Sequence, residues 1–93
     1  MRYSNIYKAQ KGLIRVNFDL NKNRISNVRI TGDFFLVPEE SISRLEKGLN
    51  GKNFDRGRLE DVLNTFYSSD VDTPLITKED FINAILGAKN AEI

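Results

Sequence analysis

The sequence predicts an α+β fold, an antiparallel sheet of about three strands packed on one face by about three helices. Three observations carry that prediction. Residues 13–20 alternate apolar and polar side chains, and residues 24–32 nearly do. Three later segments repeat apolar residues at helical spacing, each behind its own start signal. The strands come first and the helices after, which suits a meander covered by helices rather than alternating βαβ units.

The elements follow in order. Residues 3–10 form a first short strand, with Ile6 and then Tyr7 supplying its packing. Lys11-Gly12 is a turn or a bulge. Over residues 13–20, Ile14, Val16, Phe18 and Leu20 point one way and Arg15, Asn17 and Asp19 the other. Asn21-Lys22-Asn23 is a hairpin loop, because Asn tolerates the positive φ that such loops need. Residues 24–32 return with Val28 and Ile30 on the core face. Ile25 is out of phase with them, so either a bulge lies near Ser26 or Ile25 packs on the far face.

Pro38 suits the first position of a helix, and Glu39 and Glu40 complement the positive end of its dipole. Ile42, Leu45 and Leu49 make the apolar stripe, Glu40 and Arg44 are an i,i+4 pair, and Asn50-Gly51 ends the helix. Asp55 caps a second helix, with Phe54 and Leu59 as a hydrophobic staple and Leu59, Val62, Leu63 and Phe66 as its buried face. Residues 68–76 form a loop. Thr77 caps a third helix, Asp80 completes a capping box, and Ile76 and Phe81 repeat the staple. Phe81, Ile82, Ile85 and Leu86 face inward, and the chain frays from Gly87 onward.

Composition excludes most chemistry. Ninety-three residues make one domain, 1–93, without room for a second core. Apolar content of 40% with 29% charged residues is that of a globular domain rather than a disordered one. Cysteine is absent, which removes disulfides, thiolate metal sites and a thiol nucleophile and fits a reducing cytoplasm, or any setting where a disulfide is not needed. Histidine is absent too, so the usual general base and the commonest metal ligand are missing. No apolar run is long enough to span a membrane, and there is no signal-peptide pattern. Charge is unevenly spread. Residues 1–32 hold seven basic residues against one acid, and residues 33–93 hold seven against twelve. Such a split serves solubility, or it presents a basic face to an acidic partner or a phosphate-bearing ligand.

The short motifs are bland. Asp70-Val71-Asp72 opens like a calcium loop but lacks the remaining ligands. Gly48 and Gly51 are helix-end glycines without the Lys-Ser/Thr of a phosphate cradle. Ser41 and Thr77 have no base partner and are helix-start residues, and Glu39-Glu40 and Glu60-Asp61 are solvated faces. We therefore expect no catalytic residue and no metal site. A basic surface with Tyr3, Tyr7 and the Phe34-Phe35 pair leaves single-stranded nucleic acid as an alternative ligand. A pI near 8 disfavours it.

Gly32-Asp33-Phe34-Phe35 stands apart. Gly32 allows a sharp exit from the sheet and Asp33 caps the turn through its carboxylate. A turn that only had to be soluble would not require two adjacent aromatics. At least one ring belongs to the core, Phe34 before Phe35, and the second ring is the better candidate for an interface; the sequence does not say which of the two is exposed.

With Lys8-x-x-Lys11-Gly12 before the alternating strand, and Pro38-Glu39-Glu40, Leu45-Glu46-x-x-Leu49 and Gly51 after the Phe pair, the chain from Lys8 to Leu86 resembles the accessory domain of lipoate–protein ligases. The Gly32–Phe35 turn followed by the Pro-acid helix start is the most specific part. That small domain is similar in fold to the iron–sulfur scaffold and sulfur-acceptor proteins, whose chemistry a chain without cysteine cannot share. Beginning at Met1 with no ligase domain attached, the chain is similar to the stand-alone, archaeal-type form. The resemblance implies a non-catalytic subunit of a bipartite, cytoplasmic ligase. Its large catalytic subunit would bind ATP, lipoate and magnesium, form lipoyl-adenylate and hold the catalytic lysine. The small domain would be needed chiefly for that activation and would move against the large one. The lipoyl-acceptor domain of a 2-oxo-acid dehydrogenase acyltransferase, or the glycine-cleavage H protein, would be an indirect partner. What carries over to this chain is a partner-facing or site-closing surface at Gly32, Asp33, Phe34 and Phe35, with Lys8 and Lys11 near it. The competing reading is a small binding module for single-stranded nucleic acid or an unrelated protein.

Overall fold

Three strands, β1 (Arg2–Ala9), β2 (Gly12–Asn21) and β3 (Arg24–Asp33), form an antiparallel meander in the computed structural model, which describes residues 2–90. Helices α1 (Ser41–Leu49), α2 (Arg56–Ser68) and α3 (Lys78–Leu86) follow. A two-residue strand, β4 (Lys89–Asn90), then pairs with Tyr3 and Ser4, giving the order β3-β2-β1-β4. The expected α+β architecture is present. α1 lies against β3, α3 against β1 and β2, and α2 against both other helices. Among the described residues no helix is long and apolar enough to cross a membrane.

The core forms where the helices meet the inner sheet face. Ile14, Val16 and Phe18 of β2 are closed off from solvent, together with Leu45, Leu49, Leu59, Leu63, Phe81, Ile82 and Ile85 from the helices. Ile25 and Ile30 of β3 are buried despite their opposite parity, and a bulge reconciles them. The register slips by one residue between Asn17 and Asp19, so Asn27 and Val28 together face Phe18. Asn27 takes φ 51° there. Its side-chain amide donates to Asp19 (2.8 Å), and Arg2 donates to its carbonyl (3.0 Å). The Asn27 amide, seconded by the Arg2 guanidinium 3.4 Å away, holds the Asp19 carboxyl below its ordinary value.

Several local expectations are corrected. In β1 the inward residues are Tyr3, Asn5, Tyr7 and Ala9, and Ile6 is 62% exposed. Two contacts set that phase. Tyr3 stacks on Phe18 with ring centroids 6.0 Å apart, and the Asn5 amide donates to the Ala84 carbonyl (2.9 Å). In the β2–β3 hairpin the two positive-φ residues are Lys22 and Asn23, a type I′ pattern, while Asn21 still pairs with Arg24 as strand. Pro38 does not open α1. The Val37–Pro38 bond is cis, and residues 38–40 form a turn in which Pro38, Glu39 and Glu40 carbonyls accept from Ser41, Ile42 and Ser43. The helix starts after that turn, with Glu40 at its N-cap and no acid in its first turn. Arg44 ignores Glu40 and donates to Ser41 Oγ (2.9 Å), because Ser41 is the buried polar group on that face. Gly48 lies inside the last turn of α1, where a side chain would press on Val62 of α2 at 3.2 Å. The chain does not fray at Gly87. Ala88 N–H donates to the Ile85 carbonyl (3.1 Å) and the backbone turns back to the sheet. Residues 91–93, which that expectation also covered, lie outside the described residues.

The β3 edge is closed by side-chain and loop hydrogen bonds. Glu46 Oε2 of α1 accepts from Ile30 N–H (2.7 Å), Ile25 N–H donates to Lys52 (2.8 Å), and Phe54 N–H donates to Asn23 (2.8 Å). Phe54 itself packs on Phe18, centroids 5.7 Å apart.

Both later helix starts form as the sequence suggests. Asp55 accepts from Arg58 N–H (3.3 Å). Thr77 and Asp80 make a full reciprocal box, Asp80 N–H donating to Thr77 Oγ1 (3.2 Å) and Thr77 N–H to Asp80 Oδ2 (2.8 Å). Replacing Thr77 by Ala removes one half of that box and should cost about 1 kcal/mol, read as a lower urea midpoint at unchanged slope. An unchanged midpoint would show that Asp80 alone carries the cap.

Candidate functional site

Two glycines let the start of β2 and the end of β3 approach closely. A Cβ on Gly12 (φ 147°) would lie 2.0 Å from the Asp33 carbonyl oxygen, and one on Gly32 (φ 153°) 2.1 Å from that of Leu13. Gly32 and Asp33 are therefore still strand residues, paired with Ile14 and Leu13. The Asp33 carboxylate does not cap the turn. It makes no hydrogen bond among the described residues and is exposed, while its backbone carbonyl packs at Gly12.

Beyond Asp33 the chain runs with alternating sidedness. Phe34 turns inward and meets Phe81 edge-on, centroids 5.7 Å apart and planes at 82°. Phe35 points away and is 79% exposed. Leu36 is buried, and Val37 is exposed again. Val37 is clamped to the α2–α3 loop by two backbone bonds, its N–H donating to the Asp72 carbonyl and its carbonyl accepting from Asp72 N–H, both 2.9 Å.

Phe35 forms a ridge between two hollows. One, of about 360 Å³, is lined by Gln10, Lys11, Gly12, Asp33, Phe34 and Phe35. The other, of about 390 Å³, includes Gly32, Phe35, Pro38, Glu39 and Ile42. Gly32, Asp33, Phe34, Phe35 and Lys11 thus come together. Lys8 does not join them. It lies on the uncovered sheet face in the cross-strand row Lys8–Leu13–Asp33, two strands from Asp33 and so about 10 Å away. The row beside it is Ile6–Arg15–Thr31.

The ridge also divides charge. Exposed Lys8, Lys11 and Arg15, with one acid, Asp33, among them, stand on the sheet side, and exposed Glu39, Glu40, Asp70 and Asp72 on the loop side. Val37 and Leu75, which no sequence periodicity marks, also leave 59% and 52% of their surface in solvent. Within a loop, an apolar residue carries no periodicity that tells core from surface.

A wider groove of about 550 Å³ runs between α1 and α2, with Arg44, Lys47, Lys52 and Arg58 on its rim. Its aromatic, Phe66, is buried, so it has cations without the stacking surface that single-strand binders combine with them. Among the described residues no group of three or more Asp and Glu stands close enough to hold a metal ion. The chemistry open to the Phe35 ridge is recognition. An exposed ring, a cation beside it and a rigid base suit an interface.

Comparison with known proteins agrees in kind. The sequence model described as "Bacterial lipoate protein ligase C-terminus" matches residues 1–85. A Thermoplasma acidophilum protein named lipoate-protein ligase A subunit 2 is 48% identical over 85 residues, which is 91% of this chain and 88% of that protein. A Staphylococcus aureus lipoate–protein ligase 1 is 32% identical over 69 residues, 70% of this chain but only 20% of that protein. A solved structure from T. acidophilum, described as a bipartite lipoate protein ligase and its E2 lipoyl domain, superposes with a TM-score of 0.85. That match has 48% identity and covers 91% of this chain and 94% of the other. The chain belongs to the family of the lipoate protein ligase C-terminus.

Proposed function

We propose that this chain is the non-catalytic accessory subunit of a bipartite lipoate–protein ligase, acting with a separate catalytic subunit to activate lipoate as lipoyl-adenylate. The observation that carries the reading is the near end-to-end match to a protein named as the second subunit of such a ligase. The residue inventory supports it, since a chain without histidine or cysteine offers little to acyl transfer on its own.

In the activation step the lipoate carboxylate attacks the α-phosphorus of ATP and pyrophosphate leaves. The acyl group then passes to a lysine amine of an acceptor domain and AMP leaves. ATP, lipoate and magnesium belong to the catalytic subunit. This chain would supply a rigid surface that completes or covers that site, with Phe35 as the contact ridge. A closed site excludes water from the mixed anhydride, which otherwise hydrolyses. Lys11 beside the ridge, and Lys8 across the sheet, would place positive charge where pyrophosphate develops negative charge.

The test is lipoate-dependent pyrophosphate release by the matching catalytic subunit, with and without this chain. Strong dependence is expected. A folded, lipoate-binding catalytic subunit that works equally well alone would defeat the proposal. Within that assay Phe35→Ala should leave stability within about 0.5 kcal/mol, as expected of an exposed residue, yet lower activation several-fold. Phe34→Ala should instead cost about 3 kcal/mol of stability. Equal effects of the two on stability would contradict the sidedness of the turn. Lys8→Ala with Lys11→Ala should slow pyrophosphate release without moving the unfolding midpoint, and an unchanged rate would remove these cations from the active surface.

A further inference from the structure

The loop between α2 and α3 contains a residue in the wrong conformation for its type. Thr73, Pro74, Leu75 and Ile76 form a β-turn closed by Ile76 N–H donating to the Thr73 carbonyl (3.0 Å). Pro74 occupies the second position, and Leu75 the third with φ 62°. Proline bars positive φ at its own position, so the turn is type II, whose third residue is normally glycine or asparagine. A leucine there presses its Cβ toward a carbonyl oxygen, a steric cost that glycine escapes. Burial repays this cost only in part, because Leu75 leaves 52% of its surface in solvent.

The turn is not free to relax. Thr73 is buried and its hydroxyl donates to the Ile76 carbonyl (2.8 Å). That leaves the Tyr67 hydroxyl to donate to Thr73 Oγ1, 2.9 Å away, and burial pushes the Tyr67 phenol above its ordinary pKa. Ile76, the next residue, is core. The backbone is held on both sides while an aliphatic side chain is presented outward at a local cost. Residues in sparsely populated backbone regions gather at clamps and contact sites.

The location suggests the purpose. The same loop is clamped to Val37 through Asp72, so Phe35, Val37 and Leu75 are all carried on two segments bonded to each other. Asp70, Asp72, Glu39 and Glu40 are exposed along these segments. We infer that Leu75 is a docking anchor that enters an apolar pocket, rimmed by basic residues, on the catalytic subunit, extending the Phe35 surface onto the α2–α3 loop. This rests on the accessory-subunit reading. The apolar anchor asks for an apolar pocket, and the acidic surround asks for cations at its rim.

The inference separates folding from binding. Leu75→Gly relieves the turn and should raise the melting temperature by about 4 °C. It should also weaken binding to the matching catalytic subunit at least about tenfold in a calorimetric titration. Leu75→Met retains an apolar anchor and should keep affinity within about threefold of the original without the gain in melting temperature. Unchanged affinity for Leu75→Gly, with the unaltered chain binding normally, would overturn the anchor and leave the accessory reading intact. A lower melting temperature for Leu75→Gly would overturn the argument from backbone cost. Failure of the unaltered chain to bind the catalytic subunit would remove both. A dimer of this chain in sedimentation that Leu75→Gly dissolves would make a second copy the occupant and overturn the inference as well.

Discussion

The edge-on contact of Phe34 with Phe81 is the constraint on which the Phe35 end of the molecule depends. Phe81 is fully buried and also meets Phe66 and Tyr67 of α2, at centroid distances of 6.3 and 6.4 Å. One ring of α3 therefore touches α2 and the exit of β3 together. An aromatic pair of this kind adds about 0.5–1.5 kcal/mol beyond the area it buries. That is appreciable in a small domain whose whole stability is of order 5–15 kcal/mol. Its directional effect matters more. With Phe34 pinned inward, the residues after it alternate, Phe35 facing solvent, Leu36 the core and Val37 solvent again. The outward ridge is thus a consequence of an inward ring.

The starts of the second and third helices were legible because their signals are local. Thr77 with Asp80, and Asp55 with Phe54, state a helix start within a few residues, and capping geometry involves little else. The β3 bulge was legible as one of two options, the other being Ile25 on the far face. Ile25 and Ile30 differ in parity, and only an inserted residue lets both reach one face. What stayed hidden is set by contacts distant in sequence. Ile6 outweighs Asn5 on any apolar scale, yet Asn5 faces inward because the Ala84 carbonyl, 79 residues away, needs a donor. The return of Lys89–Asn90 to the sheet depends on an edge that β1 leaves open, and nothing in residues 87–90 announces it. In the site, the glycines and the Phe pair could be named from the sequence. The separation of Lys8 from the Phe35 ridge could not, because Lys8 stays within β1 while Lys11 lies in the turn that follows. Leu75 was lost among loop residues, although Pro-Leu at the centre of a turn is a recognisable departure from Pro-Gly.

The division of charge also changes meaning once folded. In sequence it separates a basic first third from an acidic remainder. In space the two signs meet across the Phe35 ridge, with Lys11 on one side and Glu39, Glu40 and Asp72 on the other. A ring between opposite fields has a preferred approach direction for any charged partner, since a rotated approach sets like charges together. For the proposed contact the fold would thereby set orientation, using side chains that add little to its own stability.

The carboxylate of Glu46 on the Ile30 amide has a consequence beyond the domain's own architecture. A three-stranded meander has two outer strands, and an unpaired outer strand invites the same strand of another molecule to add to it. Glu46 occupies one donor of β3, and the loop at Lys52–Phe54 takes up the bonds nearer the hairpin. Sheet-to-sheet polymerisation is obstructed on this side by a charged group that incoming backbone would first have to displace. In the proposed accessory role this distinction is consequential. Such a chain would be adhesive at one end and inert along its edge, and a glutamate on the first helix supplies part of the inertness.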